Sequence, residues 1–186
     1  THLKCLNLSH SKKLLELPEE IGNLSSLNQL NLSGSGIVAL PRSIRKLRNL
    51  EELNLTGTNK LLKLPKAIGR IKNLKKLCLK RSWVQFLPSS IGELQQLEYL
   101  DLESNWHLQK LPDTIGDMLS LKRLNMTGLD LVRSIPQSIG QLQNLEVLEM
   151  SGIHITSIPQ SVGKLQNLKV LEISLLLGAL SIPDEI

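Results

Sequence analysis

The pattern LxxLxL, with Met126, Met150 and Ile173 in place of the last Leu of the final three units, recurs eight times in this chain, starting at Leu3, Leu27, Leu50, Leu74, Leu97, Leu121, Leu145 and Leu168. Successive starts are 23 or 24 residues apart, so the chain is periodic from end to end. The second half of each unit is equally regular. Leu or Ile precedes a proline, and Ile or Val follows three residues after it, usually with glycine next. All eight prolines (Pro18, Pro41, Pro65, Pro88, Pro112, Pro136, Pro159 and Pro183) hold this one position. A period of this length constrains the fold more than composition does. Each unit has an apolar edge that it cannot bury alone, so the units must stack.

The spacing predicts the local structure. In LxxLxL the last two leucines alternate with polar residues, which is the period-two signature of a short strand with one buried face. Proline fixes φ where the chain turns and has no N–H to leave unpaired. Beyond it, apolar residues three apart suit a helical or 3-10 turn. The expected architecture is an α/β solenoid with parallel strands about 4.8 Å apart on a concave face and short turns on the convex side. Aromatics make up only 2% of the chain, so aliphatic side chains must fill the interior.

LxxLxL followed by LPxxIGxLxxL covers the whole chain and resembles the leucine-rich repeat family. The resemblance implies a horseshoe and a protein-recognition role. The unit looks like the intracellular plant type of nucleotide-binding immune receptors and Ras-group-related repeat proteins. Leucine-rich type III effectors of plant-pathogenic bacteria use a similar unit. The Asn usual at the ninth position is present as Asn105, while Ser11, Ser35, Thr58 and Ser82 replace it elsewhere. Leu129, Ile153 and Leu176 follow, so the asparagine ladder is irregular. The plant extracellular class carries Gly-x-Ile-Pro, whereas here Leu precedes the first five prolines. Sequons begin at Asn7, Asn23, Asn31, Asn54 and Asn125, and four of them fall at the fifth, strand position. They read as a by-product of polar strand residues, and a cytoplasmic location is favoured over a secreted one.

Other classes find little support. No run reaches the roughly 18 apolar residues of a membrane span. Residues 1–4 form no signal peptide and lead directly into the first unit. Cys5 and Cys78 lie three units apart and read as free thiols. His2, His10, His107 and His154 are scattered, without metal-ligand spacing. No glycine-rich phosphate loop occurs. We therefore expect no catalytic residues, no metal and no cofactor within the chain, any activity lying beyond it.

Function then rests on the concave face. The second strand position runs Glu51, Lys75, Glu98, Lys122, Glu146, Lys169, a ladder of alternating charge that neutralises itself. Units four and five break the monotony. Lys76, Lys80 and Arg81 lie on the fourth strand and its exit, beside Tyr99, Asp101 and Glu103 on the fifth. Trp83 and Trp106 share the tenth position, His107 follows, and Phe86 lies two residues before Pro88. Aromatics flanked by cations have the composition of interface hot spots, and these ten residues are the candidate partner-binding set. The alternative is that the two tryptophans stack on each other and cover a loop.

Basic residues also gather on the expected convex side: Arg42, Arg45, Lys46 and Arg48, then Lys63, Lys66, Arg70 and Lys72. Net charge is a modest +5, and no stacking aromatics interleave with these residues, which argues against nucleic acid. The partner expected is a protein. The first strand has no cap before it and the eighth unit stops at Ile186, so end-to-end self-association is a further expectation. Three settings fit: the sensing or regulatory region of an immune receptor, the targeting arm of a bacterial effector that carries a ubiquitin-ligase domain elsewhere, or a free-standing scaffold.

Overall fold

The computed structural model describes residues 2–174. Leu176, Pro183 and the close of the eighth unit lie outside these residues. Eight three-residue strands form one parallel sheet in sequence order. They are β1 (Cys5–Asn7), β2 (Gln29–Asn31), β3 (Glu52–Asn54), β4 (Lys76–Cys78), β5 (Tyr99–Asp101), β6 (Arg123–Asn125), β7 (Val147–Glu149) and β8 (Val170–Glu172). Each strand covers the third to fifth positions of its unit. Equivalent residues pair across every interface, as in Leu53 with Leu77 and Leu77 with Leu100.

Among the described residues, seven 3-10 turns face the sheet across the core. They are η1 (Glu19–Asn23), η2 (Arg42–Lys46), η3 (Lys66–Arg70), η4 (Ser89–Glu93), η5 (Asp113–Asp117), η6 (Gln137–Gln141) and η7 (Gln160–Lys164). A proline precedes each, with φ running from −72° at Pro112 to −60° at Pro136. The proline carbonyl accepts the N–H of the Ile or Val three residues on, as from Ile91 at 2.9 Å. Sequence places an apolar residue there because it points inward, and Ile44, Ile68, Ile91, Ile115 and Ile139 are fully buried.

The core is a stack of aliphatic rows with no aromatic side chain among the described residues. Buried area on this scale is worth about 25 cal/mol per Å² of apolar surface, and it accrues only when neighbouring units are in place. Cys5 on β1 and Cys78 on β4 are free thiols. Three strand spacings of about 4.8 Å, and an offset of two residues along the strand, hold them more than about 14 Å apart. A disulfide needs its Cα atoms within about 7 Å.

Strand exits share a left-handed residue at the eighth position. Gly34, Gly57, Gly128 and Gly152 take it with φ of 63° to 69°. His10, Arg81 and Ser104 take it too, at 60°, 54° and 57°. Just before it, the fifth-position side chain closes the turn: Asn7, Asn31, Asn54, Asp101 and Asn125 each accept the N–H two residues on at 3.0 Å. That short-range bond accounts for the Asn of the sequons found in strands. The residue two later contributes only its backbone N–H, as Glu103 does for Asp101.

Candidate functional site

The second-position ladder resolves into three ion pairs. Lys75 reaches Glu51 at 3.0 Å, Lys122 reaches Glu98 at 2.8 Å, and Lys169 reaches Glu146 at 2.8 Å. Hydrogen bonding from Lys169 holds the Glu146 carboxyl below its ordinary range. These charges satisfy each other along the rim of the sheet and leave little for a ligand.

The third position behaves differently in β4 to β6. Parallel pairing sets Lys76 beside Tyr99 and Tyr99 beside Arg123. The Lys76 ammonium lies 5.7 Å from the centroid of the Tyr99 ring, and the Arg123 guanidinium lies 5.9 Å from it. Tyr99 is thus held between two cations, which attract the ring's negative faces. Arg123 is fixed in turn by Glu149, through Nε to Oε2 at 3.0 Å and Nη2 to Oε1 at 2.7 Å. A two-point guanidinium–carboxylate contact sets direction as well as distance.

Below this row, Cys78, Asp101 and Asn125 occupy the fifth position of the same strands. Burial pushes the Cys78 thiol up to about 11, with Lys76 opposing and Asp101 adding to the rise. Burial, followed by the Asp101 charge, pushes the Tyr99 phenol up to about 12. Both are neutral at physiological pH, so the phenol is an O–H donor and the thiol is unreactive. The surface offers an aromatic ring, a hydroxyl and cations, which suits recognition rather than nucleophilic chemistry.

The ten candidate residues fall into four places. Lys76, Tyr99 and Asp101 lie on the concave strands, and Lys80 pairs with Glu103 at 2.7 Å at the strand exits. Arg81 sits in the left-handed turn, where its N–H donates to the Glu103 carbonyl at 2.8 Å. Trp83, Trp106 and His107 follow on the loops leaving β4 and β5. Trp83 faces the His107 ring at 5.0 Å and 57°, and both tryptophans keep more than two-fifths of their surface exposed. Phe86 stands apart. Its backbone bridges to Lys63 and its ring lines a cleft on the turn side with Lys63, Pro65 and Pro88.

Arg123 and Glu149 complete the concave cluster from units six and seven, beyond the ten. Their signal is positional: Arg123 occupies the same third position as Lys76 and Tyr99, one strand along. Among the described residues no three His, Cys, Asp or Glu side chains are grouped to hold a metal ion, and no helix is long and apolar enough to cross a membrane.

A single-layer parallel sheet backed by 3-10 turns, with side chains displayed on its open face, defines a repeat scaffold for recognition. The chain belongs to the leucine-rich repeat family. The family model for a leucine-rich repeat region matches residues 1–77 and 53–132. A probable disease resistance protein of Arabidopsis thaliana is 56% identical over 48 residues, which is 26% of this chain and 6% of that protein. Among solved structures, a leucine-rich repeat protein of Leptospira interrogans superposes with a TM-score of 0.86 at 37% identity. It covers 98% of this chain and 45% of its own. The leucine-rich repeat domain of the type III effector XopL gives a TM-score of 0.70 at 26% identity, covering 92% and 69%. This chain therefore spans only a small part of its plant relative and under half of its Leptospira relative. As a member of this family it is a protein-interaction module.

Proposed function

We propose that this chain is the ligand-sensing or regulatory repeat region of a larger, intracellular plant-immunity-related protein. The concave surface of units four and five, extended to Arg123, contacts the protein partner. The observation that carries the reading is Tyr99 between Lys76 and Arg123. Elsewhere charge on the sheet is largely self-paired. Here an aromatic ring, oriented cations and half-exposed tryptophans adjoin, which is the chemistry of an interface hot spot. The 56% identity to a disease resistance protein supports the setting.

A second reading draws on the likeness to the effector XopL: a substrate-targeting arm with a ubiquitin-ligase domain elsewhere in the protein. The flanking sequence separates the two, since a nucleotide-binding domain beside the repeats fits the first and a ligase domain the second.

The test is affinity capture from the source organism, with the wild-type chain against Tyr99→Ala and against Trp83→Ala combined with Trp106→Ala. A partner retained by the wild type and lost from both variants, at unchanged melting temperature, is the expected result. A verified partner held equally by all three would remove these residues from the interface.

A further inference from the structure

The turns of units two and three carry cations without carboxylate partners, unlike most of the cations on the sheet. On the sheet, Lys75, Lys80, Lys122, Arg123 and Lys169 each lie within 3.0 Å of a carboxylate. On the turns of units two and three, the side-chain cations of Arg42, Arg45, Lys63 and Lys66 have no carboxylate within 4.0 Å among the described residues. All four line a cleft of about 1340 Å³, and Arg45 also lines an adjoining one of about 800 Å³.

The cleft lies where the repeat departs from its own rule. Glycine after the buried Ile lets successive turns nest. A Cβ on Gly69 would stand 2.1 Å from the Ser90 carbonyl oxygen, and one on Gly116 would stand 2.1 Å from that of Ser138. In η2 that glycine is Arg45, and the facing residue of η3, a Ser or Thr in η2 and in η4 to η7, is Ala67. A Cβ is present where neighbouring turns have no room for one, and the opposing hydroxyl is gone. So η2 and η3 cannot nest as the others do, and the Arg45 side chain leaves the stack at the opening.

We infer that this cleft binds an acidic, extended protein segment that also carries an apolar side chain. Its apolar lining, Leu64, Pro65, Ala67, Phe86 and Pro88, fits the apolar residue, and unpaired cations flank it. The chain's own carboxylates already show the chemistry. Glu93 Oε2 lies 3.5 Å from Arg70 Nε and 3.4 Å from Lys72 Nζ at the rim of the cleft. Glu19 accepts the N–H groups of Arg42 and Ser43 at 3.2 and 2.9 Å where η2 begins. From Arg42 to Asp117 the lining crosses units two to five, at least three strand spacings or about 14 Å, which is about four extended residues. A nucleic acid would need several stacking rings, and Phe86 is alone here. This docking site is separate from the concave surface.

The test uses the intact chain and a fluorescein-labelled peptide of about seven residues, Asp and Glu around a central Leu. Fluorescence anisotropy should show saturable binding that weakens with salt, because the cations are exposed. Arg45→Gly, which restores the repeat's own residue and so preserves the fold, should lower affinity about tenfold together with Lys66→Glu. Phe86→Ser should lower it too, while Tyr99→Ala leaves it unchanged. The inference is overturned if the Asn/Gln version of the peptide binds as well. It is equally overturned if Arg45→Gly with Lys66→Glu retains full affinity, or if an oligonucleotide of matched charge competes on equal terms.

Discussion

The Ser82 hydroxyl donates a 2.6 Å hydrogen bond to Oδ1 of Asn105, the residue at the same position one repeat later. The Asn105 amide nitrogen donates onward to two carbonyls in consecutive units, Leu79 at 2.7 Å and Leu102 at 2.8 Å. Both side chains are buried. Elsewhere the ninth position does less: Thr58 bonds only the Leu55 carbonyl of its own unit, and Leu129 and Ile153 make no polar contact there. The stack between units four and five therefore has a polar staple, directly behind the candidate surface. Asn105→Ala leaves the Leu79 and Leu102 carbonyls only the backbone N–H groups of residues 82 and 105, at 3.0 and 3.3 Å, and takes the acceptor from the buried Ser82 hydroxyl, so it should cost about 2 kcal/mol. Ser82→Ala should cost about 1 kcal/mol. In urea denaturation the double variant should lose less than the sum of the two. Strictly additive losses would show that the bond between them contributes nothing.

Two glycines test two different demands on the backbone. Gly57 has φ of 68° with nothing nearer than 3.8 Å to an added Cβ, so Gly57→Ala meets conformational strain alone. That costs about 1 kcal/mol. Gly69→Ala would collide with the Ser90 carbonyl oxygen, and the two turns must part to relieve it. Thermal denaturation should rank Gly69→Ala as clearly the more damaging. The reverse order would mean that turn nesting is not what the regular placement of glycine in these units serves.

The Cys78 thiol, raised by burial to about 11, should resist alkylation at neutral pH. In a Cys5→Ser background, the iodoacetamide rate should climb only as pH approaches that value. Stability carries the matching sign. Once pH passes the thiol's ordinary 9.0, the unfolded chain gives up this proton before the folded one. The contribution of Cys78 is therefore fully present below pH 9 and lost as pH rises to about 11. Cys78→Ala should flatten the decline in that window. An alkylation rate that rises through pH 8 to 9 would contradict the buried, neutral thiol.

Much of the frame is legible because leucine spacing and proline position act through short-range geometry. A period-two run can bury only one face, and a proline can only begin the turn. The charge ladder is legible for the same reason, since one position recurs on adjacent strands. Loop side chains are not. The tenth-position match of Trp83 and Trp106 suggests that they stack, yet the ring facing Trp83 belongs to His107. The left-handed residue before each loop redirects the chain beyond it, and spacing does not encode that. Phe86 is three residues past Trp83 on the same segment, yet its backbone bridges to Lys63 and it lines the cleft on the turn side. The left-handed position is itself obscured in the sequence, because His10, Arg81 and Ser104 share it with four glycines.

Arg81 joins strain to the candidate site. It holds φ of 54° where four other units have glycine, and a left-handed L-residue costs about 1 kcal/mol. Nothing in its backbone bonding requires arginine, since Gly57 makes the equivalent N–H bond to the Lys80 carbonyl at 2.8 Å. The side chain is exposed, one residue beyond the Lys80 that pairs with Glu103 and two before Trp83. His10 and Ser104 carry the same strain, so it is the exposed guanidinium next to the candidate surface, rather than strain alone, that points to a use of this side chain. Arg81→Gly should therefore raise the melting temperature, with a gain of about 0.5 to 1 kcal/mol, and weaken the concave partner. Ser104→Gly, equivalent in backbone, should give a similar gain and leave affinity nearly intact. Differential scanning calorimetry with partner titration separates the outcomes. A destabilised Arg81→Gly would show that the turn is not strained, and unchanged affinity would show that the arginine serves no interface.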